Sequence, residues 1–139
     1  MTLILDTGPL VAVADRNDRM QGAVERLLRT ESGELVVPAT VAAEVDYLLG
    51  RRGGRPARLA FLEDVARGRF VLAGLDVSDV ATILELERRY VDLDAGLTDL
   101  SIVVIAARFQ TVRVATFDRH FRALRPLEGH STFDVVPAD

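Results

Sequence analysis

The stretch LILDTGPL, residues 3–10, places one acid and a turn directly after a short aliphatic run. Leu3–Leu5 predicts a buried strand, because three consecutive aliphatic side chains suit a sheet that is covered on both faces. Asp6 ends this strand. In α/β sheets, ligands bind beyond the carboxyl ends of the parallel strands. Asp6 is therefore a candidate functional residue, and a helix N-cap or an Asx turn is the alternative interpretation.

The rest of the chain alternates short apolar runs with stretches of helical periodicity. This alternation predicts an α/β domain with a central, mostly parallel sheet of about five strands, flanked by helices on both faces. The predicted strands are LILD, ELVVP, FVLAG, VRVAT and FDVVP, and the predicted helices are GPLVAVAD, DRMQGAVERLLRT, TVAAEVDYLLGRRGG, PARLAFLEDVARG, residues 76–90, TDLSIVVIAARFQ and residues 119–124. We expect Thr40 to cap the third of these helices and Asp76 or Ser78 to cap the fifth. No linker or repeat divides residues 1–139, which are expected to form a single domain.

The composition excludes several classes of chemistry. The chain has no cysteine, so disulfides, thiolate metal sites and cysteine nucleophiles are ruled out. All 17 basic residues are arginine, and a chain without lysine cannot be a P-loop kinase, a Schiff-base enzyme or a phosphorelay receiver domain. No apolar run approaches the roughly 18 residues of a membrane span, and the N-terminus lacks the basic segment of a signal peptide. We therefore expect a cytoplasmic protein without a membrane partner.

Glu44 lies among apolar residues on one face of the third predicted helix. Val41 and Leu48, three positions before it and four positions after it, belong to the apolar stripe of that helix. An ionised carboxylate on an apolar face is costly unless a positive charge meets it. Glu44 is therefore predicted to point inward, toward a site. The alternative is an acid near the helix start that the helix dipole stabilises.

Two further acids occupy comparable positions. Asp99 opens a helix whose next turn carries Ile102 and Val103, so its side chain is predicted to face the core. Asp118 follows the strand VRVAT, again just beyond a carboxyl end. Helix capping is the alternative for each of them.

The four acids are expected to meet, because strand ends and helix starts of these kinds lie on the same rim of a parallel sheet. Clustered carboxylates raise one another's pKa unless a cation neutralises them. Oxygen ligands, without cysteine or a suitable pair of histidines, favour Mg²⁺ or Mn²⁺ over Zn²⁺. The residues thus predict a metal-dependent phosphodiester site built from Asp6, Glu44, Asp99 and Asp118.

Other charged residues are predicted to have secondary roles. Arginines cluster at 51–58, 88–89 and 119–125, and a solvated helix surface is the default interpretation of these clusters. Because arginine suits phosphate contacts and Arg119 adjoins the fourth acid, Arg119 is the arginine expected to lie closest to a bound strand. Asp92 and Asp94 are interpreted as solvated loop charges, and His120 has no metal-binding spacing with the other histidine. With 6% aromatic residues and no tryptophan, recognition is predicted to use phosphate contacts more than base stacking.

Four segments together resemble PIN-domain ribonucleases, specifically the VapC toxins of bacterial toxin–antitoxin pairs. They are ILDTGPL, VPATVAAEVDYLL, GLTDLSIVVIAARF and VATFDRHF, and the similarity runs in order along nearly the whole chain. By position, the resemblance makes Asp6, Glu44, Asp99 and Asp118 the acidic catalytic quartet. It implies that Asp6 and Asp99 are the principal Mg²⁺ ligands, with Mn²⁺ as a possible substitute. Glu44 and Asp118 would be supporting ligands or groups that orient water.

The resemblance also implies a function. VapC toxins are metal-dependent endoribonucleases that cut structured RNA, typically a transfer RNA or a ribosomal RNA loop, and thereby inhibit translation. They form homodimers and are neutralised by a VapB-type antitoxin. Two alternatives stay open on the residues alone. A haloacid-dehalogenase phosphatase would need an acid where Gly8 stands and a lysine, and a non-catalytic PIN-like module would bind RNA or protein without cleaving it.

Overall fold

The computed structural model describes residues 1–138 and shows a central sheet of five parallel strands. The strands are β1 (Leu3–Leu5), β2 (Leu35–Pro38), β3 (Val71–Ala73), β4 (Arg113–Ala115) and β5 (Asp134–Val136). All four pairings are parallel, in the order β3-β2-β1-β4-β5. The predicted α/β class, strand number and strand direction are confirmed.

Helices cover both faces of this sheet. They are α1 (Thr7–Val13), α2 (Gln21–Thr30), α3 (Ala39–Arg52), α4 (Gly54–Ala66), α5 (Val77–Arg89), α6 (Gly96–Arg108) and α7 (His120–Ala123). Successive side chains of a strand point to opposite faces, and Leu3, Ile4 and Leu5 are all fully buried. Within residues 1–138, no helix has both the length and the hydropathy of a membrane-spanning segment.

Two details of the predicted helices are wrong. Thr40 does not cap α3, because the helix already begins at Ala39, after Pro38. Its hydroxyl instead lies 2.6 Å from the hydroxyl of Ser101 on α6 and joins the two helices. Helix α2 begins at Gln21, since the Asp18 side chain accepts a hydrogen bond from the Met20 amide and forms a turn there. At α5 the prediction is confirmed, because Asp76 is the N-cap.

The strand order decides where a ligand can bind. After β1 the chain runs outward through β2 to β3, and then returns to place β4 on the other side of β1. The order of the strands therefore reverses between β1 and β4, and this is the point at which α/β sheets open a crevice at their carboxyl ends. Asp6 directly follows β1, and Thr116 directly follows β4.

Candidate active site

Asp6 is held rigidly at the end of β1. Its amide donates to the carbonyl of Ala115 on β4, at 2.9 Å. One carboxylate oxygen accepts from the Thr7 amide and the other accepts from the Thr116 hydroxyl, both at 2.7 Å. Burial raises the pKa of Asp6, and the neighbouring charges of Asp118 and Glu44 raise it further against these two hydrogen bonds. Asp6 is therefore both the N-cap of α1 and a buried acid at the crevice.

Asp99 is the second buried acid. It stands in the first turn of α6, whose following residues through Ala106 are buried, so the helix carries Asp99 into the interior. One of its oxygens, Oδ2, lies 2.7 Å from Nδ1 of His120. Burial raises the pKa of Asp99 to about 6, and the charges of Asp118 and Asp6 act in the same direction. Its inward orientation was predicted correctly.

Asp118 completes a group of three acids around the ends of β1 and β4. Its amide donates to the Thr116 hydroxyl at 2.9 Å, and its Oδ1 accepts from the His120 amide at 2.8 Å. Thr116 thus links two acids, because the same hydroxyl donates to Asp6. Ligand atoms of Asp99, Asp118 and His120 all lie within 4.8 Å of one another. This spacing is compact enough for a single ion.

Glu44 lies in the same cavity but not as predicted. Its side chain is exposed, whereas Val41 and Val45 on the same helix are fully buried. The inward prediction is wrong because the apolar stripe of α3 packs against the sheet, while Glu44 stands at the stripe's edge, where the cavity opens to solvent. Its charge still reaches Asp6, whose pKa it raises.

We call the shared space the acidic cavity, with a volume of about 690 Å³. All four predicted acids line it, together with Asp18, so five carboxylates face two basic groups, Arg52 and His120. Hydrogen bonding to Asp99 raises the pKa of His120, which offsets part of this negative charge. Neither Asp92 nor Asp94 lines the cavity, although the charge of Asp94 contributes to the raised pKa of His120.

Three groups at this site were missed or undervalued from the sequence. His120 was set aside for lack of metal-binding spacing, although its position two residues after Asp118 brings its ring beside two acids. From the sequence, Thr116 is discounted because it lacks the histidine and aspartate context of a hydrolase nucleophile, and the signal for its observed role is a hydroxyl at a strand end. The hydroxyl oxygen of Thr7 is buried, lines the cavity and has no hydrogen-bond partner within residues 1–138. Such a group is available to a ligand.

Known proteins similar to this chain include a protein family and a curated ribonuclease. Residues 3–126 match the family model of the PIN domain. Ribonuclease VapC26 of Mycobacterium tuberculosis is 36% identical over 136 residues, which cover 97% of this chain and 100% of that relative. The chain belongs to the PIN-domain family of VapC ribonucleases. Membership in this family removes the haloacid-dehalogenase alternative.

Two solved structures share the fold of this PIN domain. The crystal structure of Mycobacterium tuberculosis VapC20, described as a sarcin–ricin loop cleaving toxin, superposes with a TM-score of 0.80 at 19% identity, covering 87% of this chain and 93% of the other. VapBC2 from Rickettsia felis, bound to a promoter DNA fragment, gives a TM-score of 0.66 at 21% identity, covering 91% and 96%. At these identities, the likeness concerns the architecture alone.

Proposed function

We propose that this PIN domain is the Mg²⁺-dependent endoribonuclease toxin of a toxin–antitoxin pair, which cleaves structured RNA and thereby inhibits translation. The observation that carries the proposal is the convergence of Asp6, Asp99 and Asp118 at the β1–β4 crevice, with Glu44 at its mouth. The name of the ribonuclease relative supports RNA as the substrate. We propose a transfer RNA or a ribosomal RNA loop as the target, and the description of VapC20 as a sarcin–ricin loop cleaving toxin supports the second of these.

The donors of the acidic cavity fit a hard divalent cation. They are mainly carboxylate oxygens, and two of them have raised pKa values because they are buried close to other negative charges. A cation would remove this penalty. Asp6 and Asp99 would be the principal ligands of Mg²⁺ or Mn²⁺, and Glu44 and Asp118 would support them. When bound, the ion would increase the acidity of a coordinated water and offset charge on the scissile phosphate.

The chain's own residues prepare the site for this reaction. The Thr7 amide and the Thr116 hydroxyl hold both oxygens of Asp6, so that this carboxylate keeps one orientation. His120 contacts an oxygen of Asp99 and restrains it in the same way. The unpartnered Thr7 hydroxyl can donate a hydrogen bond to a water or to a phosphate oxygen in the cavity. We expect cleavage to leave a 5′-phosphate and a 3′-hydroxyl.

We propose two protein partners and a cytoplasmic location. The VapBC2 neighbour supports a VapB-type antitoxin. A homodimer is supported by an apolar stripe on α5, which consists of Val77, Val80 and Leu84. These side chains are 87%, 48% and 49% exposed and follow helical spacing, so they share one face that a second copy would cover.

The test of the proposed function is RNA cleavage by the purified chain. Total RNA is incubated with the protein in Mg²⁺ or in EDTA, and new 5′ ends are mapped by sequencing. We expect discrete cuts in Mg²⁺ with the wild type and none with Asp6→Asn. Asp92→Asn, the same chemical change outside the cavity, should cleave normally. Retained, EDTA-resistant cleavage by Asp6→Asn would refute the proposal. A failure to bind Mg²⁺ by calorimetry would favour a non-catalytic PIN-like module.

A further inference from the structure

A second cavity adjoins the acidic cavity on the side of β4. We call it the arginine groove, defined by the side chains of Arg19, Arg119 and Arg122, with a volume of about 430 Å³. Phe117 and Asp118 line both cavities, so the groove begins where the acidic cavity ends. A polymer bound across Asp118 can therefore continue into the groove.

Two arginines of this groove differ from arginines elsewhere in the protein. Outside the groove, Arg58, Arg69, Arg108 and Arg113 form ion pairs with neighbouring carboxylates. Arg19 and Arg119, by contrast, are exposed and form no ion pair within residues 1–138. The other acid that lines the groove besides Asp118 is Asp18, whose side chain is hydrogen-bonded to the Met20 amide. Two exposed guanidinium groups thus face a path that leads from the proposed reaction centre.

Phe117 stands at the junction of the two cavities. It is 43% exposed, whereas the other phenylalanines of the chain are buried or half-buried. A Cβ at Gly8 would lie 3.0 Å from its ring, so the absence of a side chain on the first turn of α1 makes room for the ring there. An exposed aromatic face beside a reaction centre is a stacking surface for a base.

We propose that the arginine groove binds the RNA backbone on one side of the scissile phosphate, and that Phe117 stacks against a base at the junction. This proposal rests on the proposed function. Guanidinium groups bind phosphates in bidentate fashion, and aromatic rings stack on bases of any sequence. RNA is favoured over an acidic protein segment because the groove is continuous with the site at which a phosphodiester must bind. The prediction that phosphate contacts outweigh base stacking rests on composition, which cannot locate a single exposed ring.

The phosphate contacts are tested by the salt dependence of binding. A short fluorescein-labelled single-stranded RNA of mixed sequence is titrated in EDTA, which keeps the strand intact, and anisotropy is measured between about 50 and 200 mM salt. For the double variant R19A/R119A we expect a salt slope that is less steep by about 1.4, and affinity about 25-fold lower at 0.1 M salt. The matched control R88A/R89A removes two exposed arginines of α5 and should bind as the wild type does. A wild-type slope for R19A/R119A would overturn the proposal.

The stacking contact has a different signature. Phe117→Ala should weaken binding about tenfold without altering the salt slope, and Phe117→Tyr should restore it. In Mg²⁺, R19A/R119A and Phe117→Ala should each raise KM while leaving kcat near the wild-type value. The reason is that each removes a contact that binds the ground state and the transition state equally. Equal affinities for Phe117→Ala and the wild type would overturn the stacking assignment. A wild type that binds RNA through the groove but does not cleave it would refute the proposed function and leave the groove intact.

Discussion

Replacing Asp99 by Asn should make the free protein more stable while removing most of its stabilisation by Mg²⁺. Asp99 is buried, and its pKa rises from 3.8 to about 6. An acid whose pKa is higher in the folded protein than in the unfolded chain contributes to stability at pH values below its unfolded-state pKa. This contribution is lost as the pH rises through its folded-state pKa. At pH 7.5 the ionised side chain therefore opposes folding. Asn retains the shape and carries no charge.

The expected gain follows from that difference in pKa. A change from 3.8 to about 6 corresponds to about 3 kcal/mol, and solvent screening in an open cavity reduces it to about 1–2 kcal/mol. For a chain of 139 residues this raises Tm by about 3–7 °C. The asparagine oxygen can still accept a hydrogen bond from His120, so the local packing is kept.

Thermal and urea denaturation in EDTA and in Mg²⁺ measure both effects. Wild type should be stabilised by about 2.7 kcal/mol when Mg²⁺ reaches 100 times its Kd, and Asp99→Asn should lose most of this increment and its RNA cleavage. Asp92→Asn is the matched control, since its side chain is exposed and lies outside the acidic cavity. If Asp99→Asn in EDTA were less stable than the wild type by about 1 kcal/mol or more, Asp99 would be a structural anchor and the electrostatic reasoning would be wrong.

Three further predictions concern the site and its assembly. Mg²⁺ affinity, measured by calorimetry, should rise about tenfold between pH 5 and pH 7, because protons compete for Asp99 below its pKa of about 6; a flat profile would contradict this. Thr116→Val leaves one oxygen of Asp6 without its hydrogen bond and should cost about 1–3 kcal/mol in urea denaturation, with slower cleavage, whereas Thr116→Ser should restore both. The double variant V80D/L84D places charges on the exposed stripe of α5 and should yield a monomer by light scattering with its circular dichroism unchanged; a persistent dimer would locate the interface elsewhere.

Much of the fold could be predicted because local patterns and burial agree along this chain. Leu3–Leu5 is aliphatic at each position, and a strand with both faces covered buries all three side chains. The same agreement explains why the positions of Asp6 and Asp99 could be predicted. Each acid lies next to a run of buried residues and is therefore buried with it. The orientation of Glu44 was harder to predict. Helical spacing says on which face of α3 the residue lies, but it does not say where the sheet that covers this face ends.

Contacts between distant segments could not be predicted in this way. Thr40 has the residue type of an N-cap, but a partner 61 positions away takes its hydroxyl. Thr116 bonds to an acid 110 positions away, and His120 to one 21 positions away. No local pattern carries the information about such pairs, because they depend on which strands become neighbours.

The amino-acid sequence alone predicted the strands, most of the helix positions and four candidate acids, since these depend on side-chain periodicity and on the position of each residue relative to a strand or helix end. The tertiary structure alone decided the distances: it placed β4 beside β1, joined Asp6 to Asp118 through one hydroxyl and set Phe117 between two cavities. The physical reason is that hydrogen bonding and metal coordination act only over about 2–3.5 Å, and only the packed chain sets separations on that scale.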